Sequence, residues 1–585
     1  MTGTPPGSFR LAVWAPQAGA VELVLEDGAS SMSAGEGGWW HAEAPLAAGT
    51  RYRFALDGGE PLADPRALRL PDGPEGPAEV VDLTAHTWSD GGWRGVELSG
   101  AVIYELHVGT FTPEGTLDSA VDRLDHLVDL GVDLVEVMPL ASFPGRHGWG
   151  YDGVGLFAVH EPYGGPYAFQ RFVDACHERG LGVCLDVVYN HLGPSGNRLP
   201  DFGPYFTDHY RTPWGSAVNL DRAGSDEVRR FIVDNALGWL RDFHVDALRL
   251  DAVHALYDER ALPLLEELSI AVDALADELG RPLSLIAESD RNDPGTVTPR
   301  KSGGLGLAAQ WADDVHHALH VLLTGETQGY YDDFASPGAL GKVLTGVFFH
   351  DGTWSSFRGR THGRPVDREQ TPGWRFVASL QTHDQVGNRA TGDRLSATLD
   401  AGTLACGAAL LLCAATTPML FMGEEWGAST PWQYFTDHPD PDLAEAVRQG
   451  RRNEFASHGW DREEVPDPQS PDTVERSRLD WSEPTKEPHA RLLAWYRDLI
   501  RLRHERFDLG DPRLDRIQVT HDEPAHTVLV GRGRHAIAVN VGDARAELEV
   551  AASGLEVLLA WEPTTTVEQG VLSLPPRSAA VLGPA

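Results

Sequence analysis

Lysine is nearly missing from this chain. Three occur in 585 residues: Lys301, Lys342 and Lys486. Arginine supplies the other positive charge, yet 48 Lys+Arg stand against 86 Asp+Glu, a formal net charge of -38. That balance argues against nucleic acid and anionic membranes as partners, because their phosphates would be repelled. Cysteine is scarce as well: Cys176, Cys184, Cys406 and Cys413, with no CxxC, all inside apolar runs. They read as reduced, buried thiols, which excludes a disulfide scaffold and sets the expectation of a cytoplasmic protein. The opening MTGTPPGSFRLAVWAP has no basic segment and no long apolar segment, so no secretion signal is expected. One apolar run, LACGAALLLCAATTPMLFMG (404–423), approaches the length of a membrane span. Thr416-Thr417-Pro418 breaks it and Glu424-Glu425 follow it, so the expectation is a buried helix and then a buried strand.

What is present is globular: 42% hydrophobic, 23% charged and 17 Trp, too apolar for disorder. Residues 1–92 show short β-rich runs (FRLAVWAP, AVELVLED, TRYRFALDG) between Gly, Asp and Pro signals, and are expected to form an N-terminal β-sandwich. Residues 506–585 turn β-rich again (HTVLVGRG, RHAIAVNVGD, AELEVAAS) and are expected to form a C-terminal antiparallel β-domain. Between them, residues 93–505 alternate short apolar runs with helical patterns. The runs include AVIYELHVG, LVEVMPL, GVCLDVVYNH, VDALRLDAVH, LSLIAESD, a weaker GLAAQWADD, FVASLQTHD and TPMLFMGEE. Repeated strand-then-helix units imply a parallel sheet; eight of them suit a (β/α)8 TIM barrel, although a doubly wound sheet would give the same local pattern.

Charge at the ends of these runs is the second pattern. In a strand, residues i and i+2 share a face. Arg249 and Asp251 in DALRLDAVH therefore point together, and in a barrel that face opens into the mouth at the strands' C-terminal ends. LSLIAESD ends in Glu288, FVASLQTHD in His383 and Asp384, and GVCLDVVYNH carries Asp186, Asn190 and His191. A sequence optimised only for stability would not gather repelling carboxylates at one end of a sheet. Glycoside hydrolysis needs one carboxylate kept ionised and one kept protonated. Asp251 beside Arg249 suits the ionised nucleophile. Glu288, after an apolar run, suits the protonated acid. Asp384 is a third group for gripping hydroxyls and stabilising positive charge.

Aromatic residues would pack on sugar faces; Trp149 and Tyr151 in HGWGYD are candidates, Tyr151 foremost, with Trp311, Trp354, Trp374, Trp426 and Trp432 less specific. His316, His317 and His320 in DDVHHALH lack a second metal motif, so no metal and no cofactor is expected.

DVVYNH, ALRLDAVH, AESD and QTHD, in that order, resemble the four defining segments of the alpha-amylase superfamily, glycoside hydrolase family thirteen. The resemblance covers the whole chain and implies a barrel between two β-domains. It implies Asp251 as nucleophile, Glu288 as acid/base and Asp384 as transition-state stabiliser in a retaining mechanism. It also implies substrate contacts from Tyr151, Asp186, His191, Arg249, His254 and His383. The fourth segment departs slightly, reading THD where NHD is common, with its His and Asp intact.

YELHVGTFTPEGT with a preceding β-module is similar to the group holding glycogen branching enzymes, debranching enzymes and maltooligosyltrehalose trehalohydrolases. QWADDVHHALHVLLTGETQGYY and the stretch 421–455 look most like the last. That likeness implies further contacts from Asp313, Asp314, His316, His317, Gln385 and Asn388. It also implies a maltooligosyltrehalose or related α-glucan substrate, and a preceding enzyme that makes the terminal trehalose unit. Branching or isoamylase-type debranching is the alternative.

Overall fold

A computed structural model describes residues 8–456, 465–550 and 554–584; the first seven residues of the opening segment and the last three of AELEVAAS lie outside it. Eight strands close into a parallel barrel: β1 (Ile103–Leu106), β2 (Leu134–Val137), β3 (Gly182–Val187), β4 (Ala247–Leu250), β5 (Ser284–Ala287), β6 (Ala309–Trp311), β7 (Phe376–Ser379) and β8 (Thr417–Phe421). Closure is made by β1 against β8, with Ile103 opposite Met419. A doubly wound sheet, the other arrangement the pattern allowed, is thereby replaced by the barrel. The weak sixth run forms a strand of only three residues.

Both faces of these strands are buried, which is why they read as nearly unbroken apolar runs. The inward face is layered. Ile103, Leu134, Cys184, Ala247, Ile286, Ala309, Val377 and Met419 pack together with Trp311 as one apolar cluster inside the barrel. Two residues further along the same face, β1 to β4 carry Glu105, Glu136, Asp186 and Arg249. Each large aliphatic side chain of the lower layer contributes about 1.5–3 kcal/mol by burial. That apolar floor supports a charged layer just below the mouth.

The run 404–423 forms a buried helix, Ala401–Leu412, and then β8. No helix among the described residues is long and apolar enough to cross a membrane. The C-terminal region forms a five-stranded and a three-stranded antiparallel sheet. The N-terminal region forms smaller antiparallel sheets over Ser8–Glu79. All four cysteines are buried and unpaired.

Candidate active site

Arg249 is the centre of the charged layer, with no solvent exposure. Its Nη1 donates to Asp186 Oδ1 and Oδ2 at 3.0 and 2.9 Å and to Asp251 Oδ1 at 2.8 Å. Nη2 lies 3.6 Å from Glu288 Oε2. Its guanidinium stacks over Trp311 at 4.4 Å. Asn190 Nδ2 donates to Asp251 Oδ2 at 2.7 Å, so both oxygens of Asp251 are held, one by Arg249 and one by Asn190. Asp186, deeper, accepts from the Tyr151 hydroxyl at 2.5 Å; burial, working against Arg249, pushes its pKa up to about 6.

Beyond β4 the chain turns sharply. Ala252 has φ +38°, a left-handed conformation unusual for a residue with a Cβ. The turn aims the Ala252 N–H at the Glu288 carboxyl, which accepts its hydrogen bond. Shielding from solvent pushes the Glu288 pKa up to about 8; Arg249 opposes this, while Asp251, Asp384 and Asp313 add to it. Glu288 therefore keeps its proton at neutral pH. Asp313, at the start of the helix Asp313–Thr324, is pushed up to about 7 by the same shielding and by Asp384 and Asp314. Asp384 accepts from Asn388 Nδ2 at 3.2 Å.

A cleft of about 350 Å³ joins these groups, lined by Trp149, Tyr151, Asp152, His191, Trp214, Asp251, His254, Glu288, His383 and Asp384 among others. The structure thus brings together Asp251, Glu288, Asp384, Tyr151, His191, His254 and His383. Asp186 and Arg249 lie directly beneath them. Asn388 and Asp313 flank them. His317 packs 4.8 Å from the Tyr330 ring; Tyr330 lies close enough to Asp313 and Asp384 to feel their charge.

Asp314, His316 and Gln385 do not reach the cleft. Successive residues on a helix point about 100° apart, so Asp313 and Asp314 diverge. Asp314 is buried, accepting from Asn292 Nδ2 and from the backbone N–H of Phe349 and His350. His316 meets the Tyr331 hydroxyl at 3.2 Å and shares a small separate pocket with Gln385, His320 and Arg389. Trp426 and Trp432 are wholly buried, Trp311 sits under Arg249, and Trp374 lines a cavity with residues from the start of β5, such as Ser284, so none of these four is a cleft platform. Among the described residues no group of three or more His, Cys, Asp or Glu is arranged to hold a metal ion.

Trp214 was not singled out by sequence. It sits at the tip of the hairpin formed by Phe206–Thr212 and Gly215–Val218, about half exposed, with its ring stacked on His191 at 4.2 Å and 2°. The available signal was the PWG at 213–215, a turn carrying a large aromatic. Phe357 and Trp354 are likewise exposed, with Phe357 edge-on to Tyr330 at 5.9 Å.

Residues 82–200 match the family described as alpha amylase, catalytic domain, and residues 512–581 match a domain of unknown function (DUF3459). The chain is 62% identical over 501 residues to a malto-oligosyltrehalose trehalohydrolase of Arthrobacter ramosus, covering 85% of this chain and 87% of the relative. It is 53% identical to the enzyme of that name from Rhizobium sp. (strain M-11), covering 98% of each. A solved Salmonella typhimurium structure assigned to the alpha amylases superposes with a TM-score of 0.89 at 38% identity, over 99% of this chain and 100% of the other.

Proposed function

The chain belongs to the malto-oligosyltrehalose trehalohydrolase family, and from that premise we propose that it hydrolyses the α-1,4-glucosidic bond next to the terminal trehalose of a maltooligosyltrehalose, releasing trehalose. One observation carries the mechanism: a single guanidinium, Arg249, contacts both Asp251 and Glu288, and burial raises the Glu288 pKa to about 8. A shared cation draws the two carboxyls together, which favours retaining double displacement over the wider spacing an inverting enzyme needs.

Asp251 attacks the anomeric carbon and forms a glycosyl ester. Glu288 gives its proton to the departing trehalose oxygen, then takes one from the water that cleaves the ester. Asp384 binds sugar hydroxyls as positive charge develops. Tyr151 lies against the cleaved sugar, and His191, His254 and His383 bind its hydroxyls. Arg249 and Asp186 hold the set from below. Asp313, His317 and Asn388 belong to the surrounding wall, whereas Asp314, His316 and Gln385 support it from behind.

The division at 1–92, 93–505 and 506–585 is part of the same reading. So is a cytoplasmic location, supported by four buried, unpaired cysteines. The substrate's terminal trehalose requires a preceding enzyme that rearranges the end of an α-glucan.

The test is a matched pair of incubations, one with maltooligosyltrehalose and one with the maltooligosaccharide of equal length. Rapid trehalose release from the first and slow attack on the second are expected. New α-1,6 linkages, or debranched glucans without trehalose, would move the activity to branching or debranching.

A further inference from the structure

Beneath the cleft lie two carboxyls that no step above uses. Glu105 on β1 and Glu136 on β2 are register partners, and both are fully buried. They differ in what they touch. Neither oxygen of Glu136 has a hydrogen-bond partner, and burial, with the charges of Glu105 and Asp186, pushes its pKa well up; it is a neutral acid. Both oxygens of Glu105 are spent on one residue. Oε1 lies 2.5 Å from His383 Nδ1, and Oε2 accepts from the His383 backbone N–H at 3.0 Å. One carboxylate therefore fixes the ring and also the start of the short helix His383–Gly387.

With Nδ1 taken, the other ring nitrogen is the one left for a ligand. His383 lines the cleft, and its Nε2 lies 3.6 Å from Asp384 Oδ1 without a hydrogen bond to any described residue. The ring stacks on Tyr151 at 5.0 Å and 26°, with the Trp149 indole at 5.9 Å. We propose that Glu105 is a positioning residue for His383: its carboxylate locks the ring and supplies the counter-charge that makes Nε2–H a hydrogen-bond donor to the sugar in the cleft. The proposal rests on the glycosidase reading above.

The proton inventory gives the reason. Glu105 holds a proton on Nδ1, so a neutral His383 would present only a lone pair at Nε2. Donation from Nε2 requires the imidazolium. Burial opposes that charge, and Arg249 opposes it too. Glu105 and Asp384 outweigh them and bring the His383 pKa to about 9. Of the remaining groups that face it, Asp186 is held near 6, while Glu136 is neutral and His107, lowered to about 3 chiefly by burial, is neutral as well.

The test is Glu105→Gln, which keeps the shape and removes the charge. At pH 7 kcat/KM is expected to fall about 10- to 100-fold, the size of one charge-assisted hydrogen bond, and to recover as the pH is lowered and His383 regains its proton. Glu105→Asp is expected to keep the wild-type shape of the pH profile. His383→Gln is expected to lose as much as the double variant, because Glu105 acts through that ring. A uniform loss in Glu105→Gln with an unchanged pH profile would overturn the proposal. Should Glu105→Gln fail to fold, 15N-histidine spectra of the wild-type protein decide the matter. The resonance absent from His383→Gln is expected to be doubly protonated at pH 7, titrating near 9; a neutral ring at pH 7 overturns it. If the wild type releases no trehalose, the trehalohydrolase reading fails on its own, and the same profiles are measured on the α-glucan it does cut.

Discussion

The two ends of β4 carry the same chemistry under opposite conditions. Asp246 stands just before the strand, at the base of the barrel. It accepts from Trp93 Nε1 at 2.7 Å, Arg281 Nη1 at 2.6 Å, His177 Nε2 at 3.0 Å and the Val183 N–H at 2.9 Å. His177 bridges Asp246 and Asp90, and Trp93 stacks on its ring at 4.4 Å. Three residues away, toward the mouth, Arg249 faces Asp186, Asp251 and Glu288, with its Nε and Nη2 lacking hydrogen-bond partners. At the base every charge is answered and the cluster clamps the segment before the barrel onto it. At the mouth, carboxyls crowd one another and are pushed up to about 6, 7 and 8. A satisfied cluster serves stability; a crowded one stores proton affinity for chemistry.

The contrast can be broken by substitution. Asp251→Asn and Glu288→Gln are expected to lower kcat about 10⁴-fold while folding is kept, and Glu288→Gln is expected to raise stability by relieving crowding; trehalose assays and thermal melts read both. Asp246→Asn is expected to do the reverse, costing about 3–5 kcal/mol in denaturant unfolding, because His177 and Arg281 lose a buried partner, with kcat nearly unchanged.

pH sharpens the same contrast. Activity is expected to fall as pH rises through about 8, where Glu288 loses the proton it must donate. For stability the sign is set by each group. Burial lowers the His177 pKa, but its bonds to Asp246 and Asp90 raise it further. Its contribution is therefore full below the ordinary value of about 6.5 and is lost as pH rises through the raised one. His177→Gln should cost most in mild acid and least in alkali. Glu288→Gln should gain most near pH 8, since a raised carboxyl costs the fold stability as pH climbs. Melting temperatures across pH for both variants check the opposite trends. The smallest effect is expected from Trp214→Ala: KM raised about 2- to 10-fold through lost aromatic contact, with kcat little changed.

The barrel was legible because strands buried on both faces leave apolar runs, and its mouth because Asp251, Glu288 and Asp384 each end such a run. The four segments of the resemblance added His254, which lines the cleft, and the trehalohydrolase likeness added Asn388, which donates to Asp384 beside it. What failed has a physical cause. Asp314 and His316 sit on a helix whose rotation turns them inward, and a segment-level likeness does not carry rotation. The Trp residues at 426 and 432 resemble platforms in sequence yet fill the core. Glu105 and His383 are 278 residues apart, and only closure of β1 beside β8 makes them partners. Asp246 and Asp251 look alike within VDALRLDAVH; their partners, drawn from distant segments, separate a clamp from a reacting group.

The most direct measurement is capture of the glycosyl-enzyme. A fluorinated glucosyl donor that slows ester hydrolysis is incubated with the protein, and the digest is analysed by mass spectrometry. The account expects one glucosyl adduct on the peptide bearing Asp251, absent in Asp251→Asn. An adduct on another carboxylate, or turnover with inversion and no adduct, would contradict it.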